Sequence, residues 1–400
     1  MRSGAWHQCG WNSQKMVTEL LQHGAGTGVI ISTRDLAQTN AADYSKNYRL
    51  LDAEVVCDLQ FYNPSFTNEQ LATYPVDPFR LTISELSNVS DDDLSELAQC
   101  IADINARLAT SAIIAPAVVY EAQRPDIVAL NQRLFEAAKV AGEQLHKPVY
   151  ATVVLGTSVT ANLQLIGAIL NEATKLHPDG WYFAYEFAAN RLPTAKDSVF
   201  RCGVALLHLA RTLKPVLHAY AGPLGIASPG FGATAAGIGN FQCMWQFTRD
   251  RFADSGEDSG GSAHTATRLF SKALWGTIVY PDEVTQVEEP LRSTLITASP
   301  YTAEVTLDPP SPIDKWKAGK HLVYSICSTV ADVVGQPTAR SRAELAKEML
   351  AVSVYNHRTI QEQEITLLDS TADYQANWRD AIADLLTQNS ADYDYLEAFG

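Results

Sequence analysis

Short apolar, β-branched runs alternate with longer amphipathic stretches along most of this chain. The runs are "GVIIS" (28–32), "AEVVCD" (53–58), "SAIIAPAVV" (111–119), "PVYATVVLG" (148–156), "GWYFAYE" (180–186), "PVLHAYAG" (215–222) and "GATAAGIG" (232–239). Each is too short for a helix and nearly continuous in apolar character, the pattern of parallel strands covered on both faces. Between them, 91–110, 126–145, 161–176 and 197–213 place apolar residues three and four apart. The start "DDDLSE" at 91 puts carboxylates at the positive end of a helix dipole. Alternation of this kind predicts a parallel sheet, open or closed. Seven runs over roughly 250 residues favour a (β/α)8 barrel of the TIM type. The eighth strand falls at either 275–281 or 5–11. The glycines of 230–239 lack dinucleotide-binding spacing, and none follow the first strand, which counts against a dinucleotide-binding sheet.

Beyond the last run the pattern changes. Residues 249–268 are rich in Gly and Ser and read as a loop. Residues 298–312 are punctuated by proline and read as a linker. Helical spacing returns over 314–334, 340–357 and 371–388, with Pro337 separating the first two. The expected organisation is a catalytic barrel over 1–297, a linker over 298–312, and a C-terminal helical appendage over 313–400 packed on the barrel.

Composition narrows the class. A chain of 400 residues with 46% hydrophobic and 19% charged positions is globular and can bury a large core. The net charge of -15 gives no long-range attraction to nucleic acid, although a local basic face is compatible with it. The six cysteines are scattered without CxxC spacing, which points to reduced thiols in a cytoplasmic protein. The first residues lack the apolar run of a signal peptide, and no stretch is long and apolar enough for a membrane span. Neither HxH nor HExxH occurs, so no metal or other cofactor is expected.

In a barrel, polar side chains at the C-terminal ends of strands share one pocket. Here those residues are Arg34 and Asp35; Asp58, Gln60, Tyr62 and Asn63; Tyr185, Glu186 and Asn190; His218, Tyr220 and Gly222; and Asn240 and Gln242. Asp58 and Glu186 are carboxylates on separate strands and the best candidates for acid/base work, since partial desolvation raises a carboxyl pKa. Each has a plainer alternative. A strand-end Asp also caps helices, Arg34 and Asp35 also suit a helix start, and His218 between apolar neighbours also suits a hydrogen-bonded core. The glycines of 222–241 suit either a phosphate site or a tight barrel closure.

Taken in order, the strand ends "GVIISTRDL", "VVCDLQFYNPSF", "PVLHAYAGPLGIAS" and "ATAAGIGNFQ" resemble the tRNA-guanine transglycosylase superfamily of barrels. They are most similar to its divergent DNA-acting branch, which includes deazaguanine-inserting enzymes and phage-defence DNA glycosylases. The resemblance covers about residues 28–245. It places Asp58 where the family opens an Asp-Ser-Gly-Gly turn near the reacting base, although the two glycines are missing here. The family's late nucleophilic Asp has no counterpart near 233–242, where Asn240 and Gln242 stand instead, and its C-terminal zinc cluster is missing too.

The resemblance therefore implies a glycosylase without the transferase half, hydrolysing the N-glycosidic bond of a modified phage base such as glucosylated hydroxymethylcytosine. The target nucleotide would be flipped out of the stack. Phe61, Tyr62, Tyr185 and Trp245 would stack on it, with Gln60, Asn63 and Asn240 reading its edge or sugar, and Arg34, His218 and Gln242 completing the pocket. Two other readings stay open: deazaguanine base exchange on DNA or tRNA, and a non-catalytic barrel that binds a modified base or sugar. The partner in the first reading is DNA carrying a modified base, with no obligate protein partner and no membrane. Its phosphates would meet Arg249 and Arg251 beside the Gly/Ser loop, and Lys315 and Lys317 in a stretch (313–347) with six basic against three acidic residues.

Overall fold

The computed structural model describes residues 1–77, 79–80, 89–188, 192–252, 266–303 and 305–400. Eight parallel strands form one sheet: β1 (Gly4–Cys9), β2 (Gly28–Ser32), β3 (Glu54–Asp58), β4 (Ile113–Ile114), β5 (Val149–Leu155), β6 (Gly180–Tyr185), β7 (Val216–His218) and β8 (Ala235–Gly239). Their spatial order is β3-β2-β1-β8-β7-β6-β5-β4, so the N-terminal strand pairs with both β2 and β8. The remaining seam, between β3 and β4, is tied by the Ser111 N–H donating to the Val55 carbonyl at 2.7 Å. The result is a nearly closed (β/α)8 barrel of the TIM type with C-terminal helices packed on it.

Between the strands lie α1 (Gln14–Gln22), α2 (Gln38–Leu50), α3 (Asp91–Leu108), α4 (Asp126–Leu145), α5 (Leu163–Thr174) and α6 (Lys196–Ala210). The start of α3 is held by a capping box in which Ser90 and Asp93 satisfy each other's backbone N–H groups. Alternation along each strand divides the core in two. Trp6, Ile30, Val56, Val154, Tyr182, Ala184 and Leu217 fill the barrel interior. Ala5, Val29, Val55, Val153, Trp181, Phe183 and Val216 face the helices.

Of the two candidates for the eighth strand, the N-terminal one closes the barrel. Residues near 275–281 instead form β10 (Gly276–Val279), an antiparallel hairpin with β9 (Arg268–Ser271) outside it. Over 111–119 only Ile113–Ile114 is strand, because Pro116 cannot donate to a ladder.

The C-terminal helices are α7 (Lys315–Val334), α8 (Ala339–Glu362), α9 (Ala372–Gln388) and α10 (Ser390–Phe399). Helix α7 packs on β1 and β8, and its Lys320 forms an ion pair with Glu19 of α1. It thus occupies the place of the barrel's own eighth helix. The chain reaches that place only after the β9–β10 hairpin, whose apolar side shares a small core with Ala318 of α7 and Ile360 of α8. Helix α9 lies on α6, where the indole N–H of Trp378 donates to the Pro193 carbonyl at 2.5 Å. All six cysteines are free thiols. Among the described residues no helix is long and apolar enough to cross a membrane.

Candidate active site

Asp58 is the last residue of β3, and strand alternation turns it inward with Val56. It is 2% exposed. The next turn requires Gln60 at φ 55°, which brings its N–H 3.0 Å from Asp58 Oδ1. Three phenols donate to Oδ2: Tyr62 at 2.7 Å, Tyr182 at 2.8 Å and Tyr220 at 3.3 Å. Tyr182 rises from the inward face of β6, and Tyr220 follows β7 in a left-handed turn.

Burial raises the Asp58 carboxyl above its ordinary range, while the tyrosine and backbone donors pull the other way without overcoming it. The phenols are pushed well above their usual pKa, by burial first and the Asp58 charge second, so they remain donors. The side chain of Gln60 is fully engaged. Its Oε1 accepts from the Ser32 hydroxyl at 2.9 Å and the Arg34 N–H at 3.2 Å, and its Nε2 donates to the Tyr220 oxygen at 2.8 Å.

A strap formed by residues 244–252 covers this carboxylate. Trp245 lies over Gly222, where a Cβ would stand 2.5 Å from the Trp245 carbonyl, so only glycine admits the strap there. Phe247 meets Tyr62 edge-on at 5.1 Å and Tyr220 at 5.7 Å. Phe252 meets Tyr62 at 5.2 Å, and its carbonyl accepts from Asn63 Nδ2 at 2.7 Å. Two arginines latch the strap to different walls. Arg249 donates through its backbone N–H to Glu186 Oε1 at 2.9 Å and through Nε to Oε2 at 3.0 Å, and also pairs with Glu121. Arg251 approaches Asp35 at 3.4 Å and lies over the Tyr220 ring at 5.7 Å.

The residues singled out from sequence therefore separate into groups. Asp58, Gln60 and Tyr62 come together inside the barrel mouth, with Asn63 and Arg34 at its edge. Arg34 lies over the rings of Phe66 and Phe252, at 5.3 Å and 5.7 Å. Glu186 is buried at the rim, but both its oxygens are committed to the strap and to the Thr157 N–H at 3.0 Å. That arrangement makes it a latch partner, not a second acid facing Asp58.

Tyr185 and His218 face the helical layer, not the pocket, because each falls on the outward register of its strand. The Tyr185 hydroxyl donates to the Thr160 carbonyl at 3.1 Å, and His218 Nδ1 lies 2.7 Å from the Ser228 hydroxyl. Phe61 also faces outward, beneath the Arg80 guanidinium at 5.4 Å, and Trp245 belongs to the strap. Arg249 and Arg251 are both held in the latches, Arg251 largely buried and Arg249 partly exposed. Lys315 and Lys317 lie in the first turn of α7, where Asp314 caps the Lys317 N–H at 2.8 Å. Asn240 is buried just past β8. The side chain of Gln242 and the whole of Asn190 lie outside the described residues.

Sequence reasoning did not assign Tyr182 to the site, although a signal existed: Tyr182, Ala184 and Glu186 share one face of a period-two strand. It also did not find Phe247 and Phe252, which no strand pattern places.

Burial lowers the His218 pKa to about 3, so the folded protein holds it neutral. The unfolded chain takes up that proton below about pH 6.5, so stability falls as the pH drops from there toward 3. His218→Gln, which keeps a polar partner for Ser228, is expected to flatten that decline in denaturant titrations at pH 7, 5.5 and 4. An unchanged slope would remove His218 from the acid sensitivity.

The fold and site define a TIM-type barrel that buries one multiply hydrogen-bonded carboxylate beneath an aromatic strap at the C-terminal ends of its strands. A scan against protein-family models and a search of curated proteins find no match to this chain. Among the described residues, no group of three or more His, Cys, Asp or Glu side chains is placed to hold a metal ion.

Proposed function

We propose that this protein hydrolyses the N-glycosidic bond of a modified base in DNA, with Asp58 as the reacting carboxylate. The observation that carries the proposal is the placement of Asp58: a buried carboxylate of raised pKa at a strand's C-terminal end, held by Tyr62, Tyr182, Tyr220 and the Gln60 N–H. Such a group takes a proton from water as it attacks C1′, or stabilises the positive charge that grows on the sugar as the base leaves. The tyrosines fix its orientation.

Asp58 is closed off in this conformation, so turnover requires the strap to lift and at least one phenol to give up its place on Oδ2. Phe247 and Phe252 then become faces on which an extruded base can stack. The choice of DNA and of a phage-modified cytosine, with glucosylated hydroxymethylcytosine the leading candidate, rests on the resemblance of the strand ends.

A second reading has its own observation. Every Asp58 contact is already filled, as expected of a non-catalytic barrel whose mouth binds a modified base or sugar. Deazaguanine exchange is less well supported, since Asn240 and Gln242 stand where a late nucleophilic carboxylate would be needed.

Incubation with modified phage DNA, followed by alkaline cleavage, separates the three. Strand breaks without an added base are the expected result. Incorporation of labelled deazaguanine would mean exchange, and saturable binding with neither product would mean a reader.

A further inference from the structure

Outside the strap, the barrel rim carries a separate groove between the end of β8 and the start of α7. Its volume is about 310 Å³, at the small end of the roughly 300–1,000 Å³ of small-molecule sites. Asn240 and Phe241 form one side, Arg268 another, and Lys315, Gly319 and Leu322 the third.

Asn240 is 3% exposed and its amide lies against His7, but neither its Nδ2 nor its Oδ1 makes a hydrogen bond of normal geometry. Burial lowers the His7 pKa, with the Ala25 carbonyl and then this amide pulling the other way, and its Nδ1 is also without a partner of normal geometry. A buried amide in this state has lost its hydration without replacement, which native interiors rarely tolerate. It suits a ligand edge with an acceptor beside a donor. Phe241, 36% exposed at the groove, offers a ring for stacking. Lys315 stands exposed in the first turn of a 20-residue helix whose N-terminus Asp314 already caps, so its own charge is what the groove offers to an anion. Arg268, paired with Asp369, is held at the opposite edge.

We propose that this groove binds one nucleotide unit, its base stacked on Phe241, its amide-like edge read by Asn240, and its phosphate at Lys315. The proposal goes beyond the reading of Asp58 and does not rest on it. A free nucleoside monophosphate and a nucleotide within a DNA strand share this chemistry.

Calorimetric titration of the full chain would use deoxycytidine and deoxyguanosine monophosphates, the matching nucleosides, and a short single-stranded oligonucleotide. Saturable binding of at least one phosphate-bearing probe is expected, with the nucleosides markedly weaker. Lys315→Glu should weaken binding by about tenfold or more, as loss of a charge-assisted contact does. Phe241→Ala should also weaken it. Both positions are exposed, so melting temperatures should stay near wild type. Binding of the monophosphates would assign the site to a free nucleotide, and binding of the oligonucleotide alone to a strand.

Absence of saturable binding by every phosphate probe would overturn the proposal. So would equal affinity for nucleoside and nucleotide, or affinity unchanged in Lys315→Glu. Asp58→Asn should leave this binding intact, which keeps failure here distinguishable from failure of the glycosylase reading.

Discussion

Asp58→Asn is expected to lower base release by about 10²–10⁴, the usual cost of losing a positioned general base. It should do so without unfolding the protein. Folded-state burial raises the Asp58 pKa, so the native state holds its proton more tightly than the unfolded chain does. A raised folded pKa contributes stability that is present below the unfolded pKa, about 3.9, and lost as pH rises through the folded value. The substituted amide has no charge to bury. Because its Nδ2 replaces an oxygen that accepts hydrogen bonds, thermal melts should show the variant's deficit smallest at pH 8 and growing toward pH 4. Wild-type activity should fall as acid protonates Asp58, with its midpoint above the ordinary carboxylate range. A variant that melts well below wild type at every pH yet keeps its specific activity would make Asp58 a structural acceptor for the tyrosines.

Phe247→Ala is expected to produce the largest loss of stability at the site, about 3–5 kcal/mol by denaturant titration, the range for emptying a buried phenylalanine position. Phe247 is fully buried and touches Tyr62, Tyr220 and Phe252. Its loss opens a cavity directly above the phenols that hold Asp58. Water admitted there relieves the desolvation of the carboxylate, so the acid limb of the activity profile should shift to lower pH. The two measurements answer different questions. A stability loss without a shift in the acid limb would mean that the strap packs the mouth but does not control the environment of Asp58.

The barrel was legible because its cause is local. Parallel strands covered on both faces must be apolar along their length, and helices covering them must be apolar along one stripe, so both show in short windows of sequence. The same logic located Asp58, since a charge at the end of an apolar run marks where a strand leaves the core. The ring's last helix was not legible as part of the barrel. Helix α7 follows a hairpin and a proline-rich stretch, and only its packing on β1 and β8 shows that it completes the ring.

Side-chain direction separated the strand-end residues that share the barrel mouth from those that face the helices. Tyr185 and His218 sit at strand ends, but they occupy the outward register, and the helical layer receives them. Tyr182 occupies the inward register and reaches Asp58 from the middle of its strand, 124 positions away in sequence. Glu186 stood out as a charge in an apolar run, yet its role is set by Arg249, brought back over the mouth from 63 positions downstream.

By itself, then, the sequence determined the repeating strand-helix order, the apolar faces and the carboxylate at the end of β3, because backbone geometry and burial periodicity act over a few residues. Only the tertiary structure decided the partners of that carboxylate, the latching of the strap and the engagement of the basic residues. Those depend on which distant side chains share a space, and no local period encodes that.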